Sequence, residues 1–412
     1  MIENKYYYTF FGFFLFLMGL LPLLPFHQKP IGLVIGLLFG LVFWIKNIKV
    51  QFIKQYFLNA LPFFIYFIGM VNSKNTTFVF HYLETNLPLV LFPLVFILFS
   101  NLTFSKEQQK KWIVFFYQIY IYSAAIFSIL IFMYAFYLGY FSNKVSYSYL
   151  MSYFVGNFWG FHDHPIYISL ILSIAILFQL ELFFQYSKKK GLLIISSLFI
   201  FSAIIFLSRK GVIIALLLAI IFYIFNIINT KRYKAITVTG LLALMVISFS
   251  LLPNSTKRFK ELLQTNLYMQ KAQINNSTST RIGIYKCSIN LMRNAGILGY
   301  GLGDVKSELN NCFKQNDPNL TGHKFNTHNV YFNIILGTGY LGMILFLFYL
   351  YKLFNFAKAN KDILYLSILL LFVVLFLFEN ILDRQNGVLL FAFLINFFTF
   401  KNRILLDEKE KK

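Results

Sequence analysis

The sequence predicts an all-α polytopic integral membrane protein, with about twelve transmembrane helices and one large periplasmic loop containing short helices. Three observations predict it. Hydrophobic residues make up 58% of the 412-residue chain and charged residues 13%, against roughly a quarter charged in soluble domains. Apolar runs suited to about 30 Å of hydrocarbon recur from end to end. Basic residues alternate between successive loops in the way that orients membrane proteins.

The expected spans lie at residues 6–26, 31–45, 56–71, 83–100, 112–138, 166–184, 192–207, 211–228, 235–252, 329–351, 363–378 and 387–400. Several are short, which suits tilted or protein-buried helices. The first run is too long for the apolar region of a signal peptide and has no small-residue cleavage site, so no cleavable leader is expected. The chain reads as a single membrane-embedded domain over residues 1–412, with the polar loop 253–328 inside it.

Lysine and arginine cluster at Lys46/Lys49/Lys54, Lys106/Lys110/Lys111, Lys188/Lys189/Lys190, Lys231/Arg232/Lys234, Lys352/Lys358/Lys361 and from Lys401 to Lys412. The loops between mostly carry one basic residue each: Lys29, Lys74, Lys144 and Arg384. This parity puts both termini in the cytoplasm and the 253–328 loop outside. The formal charge of +22 is therefore a topology signal that also suits anionic lipid headgroups, and nucleic acid is not expected as a partner. The outer loop nevertheless holds a basic excess that topology does not ask for, including Arg281, Lys286, Arg293 and Lys306. That excess suits an anionic substrate at the membrane face.

The turn Ser208-Arg209-Lys210 is a second exception, with two cations in a tight outer turn beside hydrocarbon. Either they snorkel to lipid phosphates, or they form a fixed phosphate or diphosphate clamp. Within the loop, residues 280–295 read as a helix, because Ile282, Tyr285, Ile289 and Met292 recur at spacings of three and four. Arg281 falls in its first turn, as part of an anion site or as a solvated side chain. Gly299, Gly301 and Gly303 have the wrong spacing for a dinucleotide fingerprint and read as a turn back to the bundle. Asp304 is a cap or a substrate hydrogen-bond partner. Cys287 and Cys312 form either a disulfide of an oxidising compartment or two free thiols.

Among the histidines, His27 and His81 read as interfacial. His162 and His164 flank Asp163 before a span and face the outer cavity; a metal site there is disfavoured because alternating residues splay apart. His323 and His328 are five apart and are not an i,i+4 zinc pair. His328 opens a helix at the outer membrane face, where a neutral imidazole can deprotonate a hydroxyl.

The order of Ser208-Arg209-Lys210-Gly211, Arg281, Gly299-Tyr300-Gly301-Leu302-Gly303, His328-Asn329-Val330-Tyr331 and Gly337-Thr338-Gly339-Tyr340-Leu341-Gly342 resembles the O-antigen ligase family. The resemblance is clearest over residues 192–350. That family also includes O-antigen polymerases and protein O-oligosaccharyltransferases. The resemblance implies a metal-independent, inverting glycosyltransferase of the cell inner membrane that needs no cofactor. Its donor would be a glycan on undecaprenyl diphosphate and its acceptor a sugar hydroxyl of lipid A–core. His328 would be the general base, with Arg209, Arg281 and Lys210 holding the diphosphate. Lys210 stands where the family pattern leads one to expect a small or polar residue, and it adds to the clamp. Asn329, Tyr331, Asp304, His162 and His164 would shape the acceptor side. A lipid or sugar transporter fits less well, because no inverted repeat is evident and few ionisable residues lie in the spans.

Overall fold

The computed structural model describes residues 2–44, 53–99, 105–156, 158–186, 190–230, 232, 239–240, 277–323 and 325–407. Apart from residues 239–240, the expected span 235–252 lies outside the described residues, as do the first part of the polar loop, 253–276, and Lys46, Lys49, Lys188, Lys189, Lys231, Lys234 and Lys324. Among the described residues there is no strand. The chain is a polytopic helical membrane protein. Among the described residues, five helices are long and apolar enough to cross a membrane: Thr76–Leu98, Glu107–Tyr137, Pro165–Tyr186, Lys210–Ile227 and Val330–Ala359.

The N-terminal part comprises α1 (Ile2–Gly19), α2 (Ile31–Trp44), α3 (Ile53–Val71), α4 (Thr76–Asn86) and α5 (Pro88–Leu98). The long α6 (Lys106–Tyr137) starts at a reciprocal cap between Ser105 and Gln108. Short α7 (Tyr147–Gly156) leads to α8 (Pro165–Glu181), which begins with proline in its favoured first position. Then come α9 (Lys190–Leu207), α10 (Lys210–Ile227), the loop helices α11 (Ser277–Met292) and α12 (Val305–Asn316), and finally α13 (Val330–Ala359), α14 (Ile363–Leu375) and α15 (Gln385–Asp407).

Helix α8 is the centre of the bundle: its most apolar stretch is 89% buried, against 44–56% in the other four long spans. It packs on α9, α6, α10 and α14. Because lipid is as apolar as a leucine side chain, association rests on close packing and polar links. Aromatic rings supply much of the packing, as where Phe116 meets Phe178, Phe393 and Phe397. Asn59 of α3 donates to Asn396 of α15 at 2.7 Å, and Asp362 takes Lys401 at 2.6 Å and Asn402 at 2.8 Å.

The observed boundaries correct several expected ones. The first helix stops at Gly19, and a 3-10 turn at Leu21–Leu23 follows, with Pro22 inside it. The span expected at 83–100 begins earlier, at Thr76, and is divided at Leu87 by Pro88. Lys29, counted as a loop charge, is 1% exposed and pairs with buried Asp163 at 2.5 Å. Asn386 also donates to Asp163.

Helices α11 and α12 form a cap with its own small core, in which Ile284, Leu309, Phe313 and Leu320 pack with Leu336 of α13. Cys287 and Cys312 are disulfide-bonded, joining α11 to α12 with Cα atoms 5.8 Å apart. The glycine cluster clasps this cap to the bundle. Gly339 interrupts α13 at φ 70° and ψ −171°, and a Cβ there would sit 2.1 Å from the Ile297 carbonyl oxygen. The freed backbone is satisfied across the crossing: Tyr300 N–H donates to Leu336 O at 2.7 Å and Leu341 N–H to Ile297 O at 3.2 Å. Only glycine meets both the left-handed φ and the backbone-to-backbone approach. Gly339→Ala should therefore loosen the cap, lowering the thermal midpoint by several degrees and exposing residues 277–323 to limited proteolysis in detergent.

Candidate functional site

The site begins at the turn between α9 and α10. Ser208 is left-handed at φ 51°, and its hydroxyl donates to Ile205 O at 2.9 Å. Tyr147 closes the end of α9 by donating to the Phe206 and Leu207 carbonyls. Gly211 presses α10 against the segment after α14, since a Cβ there would lie 2.7 Å from the Phe378 side chain. That approach brings Arg209 and Lys210 beside Glu379. Residues Ser208 to Val212, together with Ser277, Arg281 and Glu379, line a small solvent-open cleft.

Helix α11 already runs at Ser277, ahead of the expected start at Thr280, so Arg281 lies beyond its first turn. Ser277 itself lines the cavity, and Lys210 Nζ donates to Thr278 Oγ1 at 3.1 Å, tying the two cationic segments together. The Arg281 guanidinium forms an ion pair with Glu379 Oε1.

The other carboxylate oxygen of Glu379 meets His328 Nδ1 at 3.3 Å. His328 precedes α13 in the left-handed conformation, φ 46°. Such a backbone persists where its surroundings over-determine it. Here Asn326 accepts from His328 N–H at 3.0 Å, and the Tyr285 hydroxyl reaches the carbonyls of His328 at 3.1 Å and Leu377 at 2.9 Å. Asn329 caps α13 through Phe332 N–H and donates to Leu377 O at 3.1 Å. Histidine and glutamate are thus held by two chain segments stitched to each other.

Glu379 is the residue that sequence reasoning passed over, as an acid near a span end. The available signal was its company: an acid between Phe378 and Asn380, at the end of an apolar run, needs a partner. Its burial pushes the carboxyl up, but Arg281, His328 and His164 outweigh this and hold it below the ordinary range.

The remaining expected residues divide. His164 caps α8 within the electrostatic reach of Arg209, Glu379 and His328, whereas His162 is exposed and its ring lies 6.4 Å from that of His27. Asp304 accepts from Lys74 N–H at 2.6 Å and Ser73 Oγ at 3.2 Å, fastening the cap to the α3–α4 turn. Tyr331 donates to Val373 O at 3.0 Å between α13 and α14. Among the described residues no group of three or more His, Cys, Asp or Glu is arranged to hold a metal. The trio of His162, Asp163 and His164 is no exception, because Asp163 is committed to Lys29 and Asn386.

Burial, with help from Arg209, pushes the His164 imidazole down to about 4. An unfolded histidine takes its proton near pH 6.5, so below that pH the unfolded chain holds a proton the folded chain refuses. The folded-state advantage is complete above about pH 6.5 and declines as pH falls. From pH 7 to pH 5 this group should cost about 2 kcal/mol. The thermal midpoint in detergent should fall over that interval, and His164→Gln should flatten the fall.

Residues 194–347 match a family model described as O-antigen ligase. The matched region runs from α9 into α13 and takes in Arg209, Lys210, Arg281 and His328; Glu379 lies beyond it. No curated protein matches the chain. Residues 194–347, which carry Arg209, Lys210, Arg281 and His328, are thus similar to the O-antigen ligase family.

Proposed function

We propose that this chain is a glycosyltransferase that moves a glycan from undecaprenyl diphosphate to a sugar hydroxyl of lipid A–core, acting as an O-antigen ligase. The family match supports a membrane glycosyltransferase-like enzyme. The observation that carries the finer reading is the shared carboxylate: Arg281 and His328 both hold Glu379, at a cavity that Arg209 also lines. That puts cations for an anionic leaving group next to a proton acceptor.

In this reading the donor's diphosphate enters between α10 and α11, where the Arg209 and Arg281 guanidinium groups match its oxygens and Lys210 adds charge. His328 accepts the proton of the acceptor hydroxyl as that oxygen attacks the anomeric carbon from the face opposite the diphosphate, inverting the centre. Stabilisation of the departing diphosphate supplies a large share of the rate. Both termini are cytoplasmic and the cap is periplasmic, which places the site at the outer face of the inner membrane. Lipid A–core is the acceptor of a ligase; a polymerase would extend a carrier-linked glycan instead. A deletion strain should lose long glycan on its lipid core while still making carrier-linked polymer. Accumulation of single repeat units would reassign the chain as the polymerase.

His328→Ala should lower transfer by roughly two to four orders of magnitude while donor binding is largely kept. Near-normal transfer by that variant would remove His328 as the base. Arg281→Ala and Arg209→Ala should each insert normally yet lose transfer by the equivalent of about 2–5 kcal/mol, with lysine rescuing only in part because a point charge lacks the forked contact. Rates measured with carrier-linked glycan and purified lipid A–core check this.

A further inference from the structure

We propose that Glu379 is the positioning residue for the base: its carboxylate holds His328 Nδ1–H, turns Nε2 toward the acceptor hydroxyl, and parks Arg281 beside the leaving-group site until a diphosphate arrives. This rests on reading His328 as base and Arg281 as clamp. Both carboxylate oxygens are engaged, one by each partner, and the side chain is only 9% exposed.

An ionised carboxylate only accepts hydrogen bonds, so a neutral imidazole facing it through Nδ1 must carry its proton there. The lone pair is then on Nε2, and the tautomer is set by the second nitrogen's partner. The ionised state follows from the cationic company of Glu379, whose carboxyl is held below its ordinary range despite burial. The ring has little freedom to turn away, because the His328 backbone is pinned on its N–H by Asn326 and on its carbonyl by Tyr285.

The step balances as follows in charge and atoms. The acceptor O–H proton passes to Nε2, the oxygen's electron pair forms the bond to the anomeric carbon, and the bond from that carbon to the diphosphate oxygen breaks with its electron pair leaving on the diphosphate. The imidazolium so formed lies against the Glu379 carboxylate. At the same moment Arg281 faces the new anion, and Glu379 is no longer needed as its counter-ion. One acid thus neutralises a cation in the empty site and a different cation after proton transfer.

Other charged and titratable groups bear on His328 or on its immediate partners. Arg281 and Tyr285 come from α11, Arg209 from the start of α10 and His164 from the start of α8. Asp383 and Arg384 come from the turn before α15, where Lys306 also acts on Asp383. Removing the Glu379 charge leaves mostly cations around the ring, which disfavour the imidazolium.

The test is Glu379→Gln in the purified full-length protein in lipid vesicles, assayed with undecaprenyl-diphosphate-linked glycan and lipid A–core across pH, beside His328→Ala. The expected result has three parts. The plateau kcat falls roughly 10²–10⁴-fold, as when the orienting acid of a catalytic triad is neutralised. The acid limb of the kcat profile moves to lower pH, because the ring has lost the anion that favours its protonated form. The KM for the donor does not rise, since Arg281 has lost a competitor. A merely structural carboxylate would lower activity without moving the limb.

If His328→Ala keeps near-normal transfer, the underlying reading fails and this one with it. If His328→Ala is inactive while Glu379→Gln keeps wild-type kcat, or loses kcat with its acid limb unmoved, the positioning role alone is overturned. Should the glutamine variant fail to insert, Glu379→Asp decides. A shorter carboxylate should keep the acid limb and lose kcat about tenfold or more, and wild-type kcat in that variant overturns the proposal.

Discussion

A buried carboxylate with two partners is the constraint around which one end of this bundle is arranged. Glu379 stands at an apolar helix end, where an ionised group is tolerated only when charge and hydrogen bonds surround it. Arg281 supplies the charge from the cap, and His328 supplies a ring nitrogen from the start of α13. Each is in turn fixed by something else. The cap is held by the disulfide and by the glycine crossing at Gly299 and Gly339, while His328 is held by Asn326 and Tyr285. The geometry of the site is therefore a property of the whole outer layer rather than of one loop.

Most of the architecture was legible in the sequence, because lipid demands long apolar runs whose composition no soluble helix shares. The turn at Ser208-Arg209-Lys210 was legible for the same reason, since cations beside hydrocarbon stand out. What escaped was chemistry in groups that look ordinary in one dimension. Glu379 reads as a solvated helix end until Gly211 is seen to bring α10 against Phe378. Lys29 reads as one of the sparse outer charges, yet it is buried against Asp163, linking the segment after α1 to the start of α8. Asp304, weighed as a substrate contact, is occupied by the Ser73–Lys74 backbone and hydroxyl. Pairings between 51 and 231 residues apart in the chain leave no local pattern to find.

Helix α12 escaped for a different reason. Its apolar positions Val305, Leu309, Cys312 and Phe313 make a face only four residues wide, and asparagines and charged residues fill the rest. Such a helix does not stand by its own propensity. It is held by a disulfide to α11 and by the small core beneath it.

The position of Glu379 in the chain has a consequence for biogenesis. Arg209, Arg281 and His328 are synthesised first, and the acid that unites two of them comes from the hairpin joining α14 and α15. A nascent chain that has inserted everything through α13 holds cations and an imidazole with no common counter-ion. Elements form in the order in which the ribosome delivers them, so Arg281 and His328 meet their shared carboxylate only once the α14–α15 hairpin has joined the bundle.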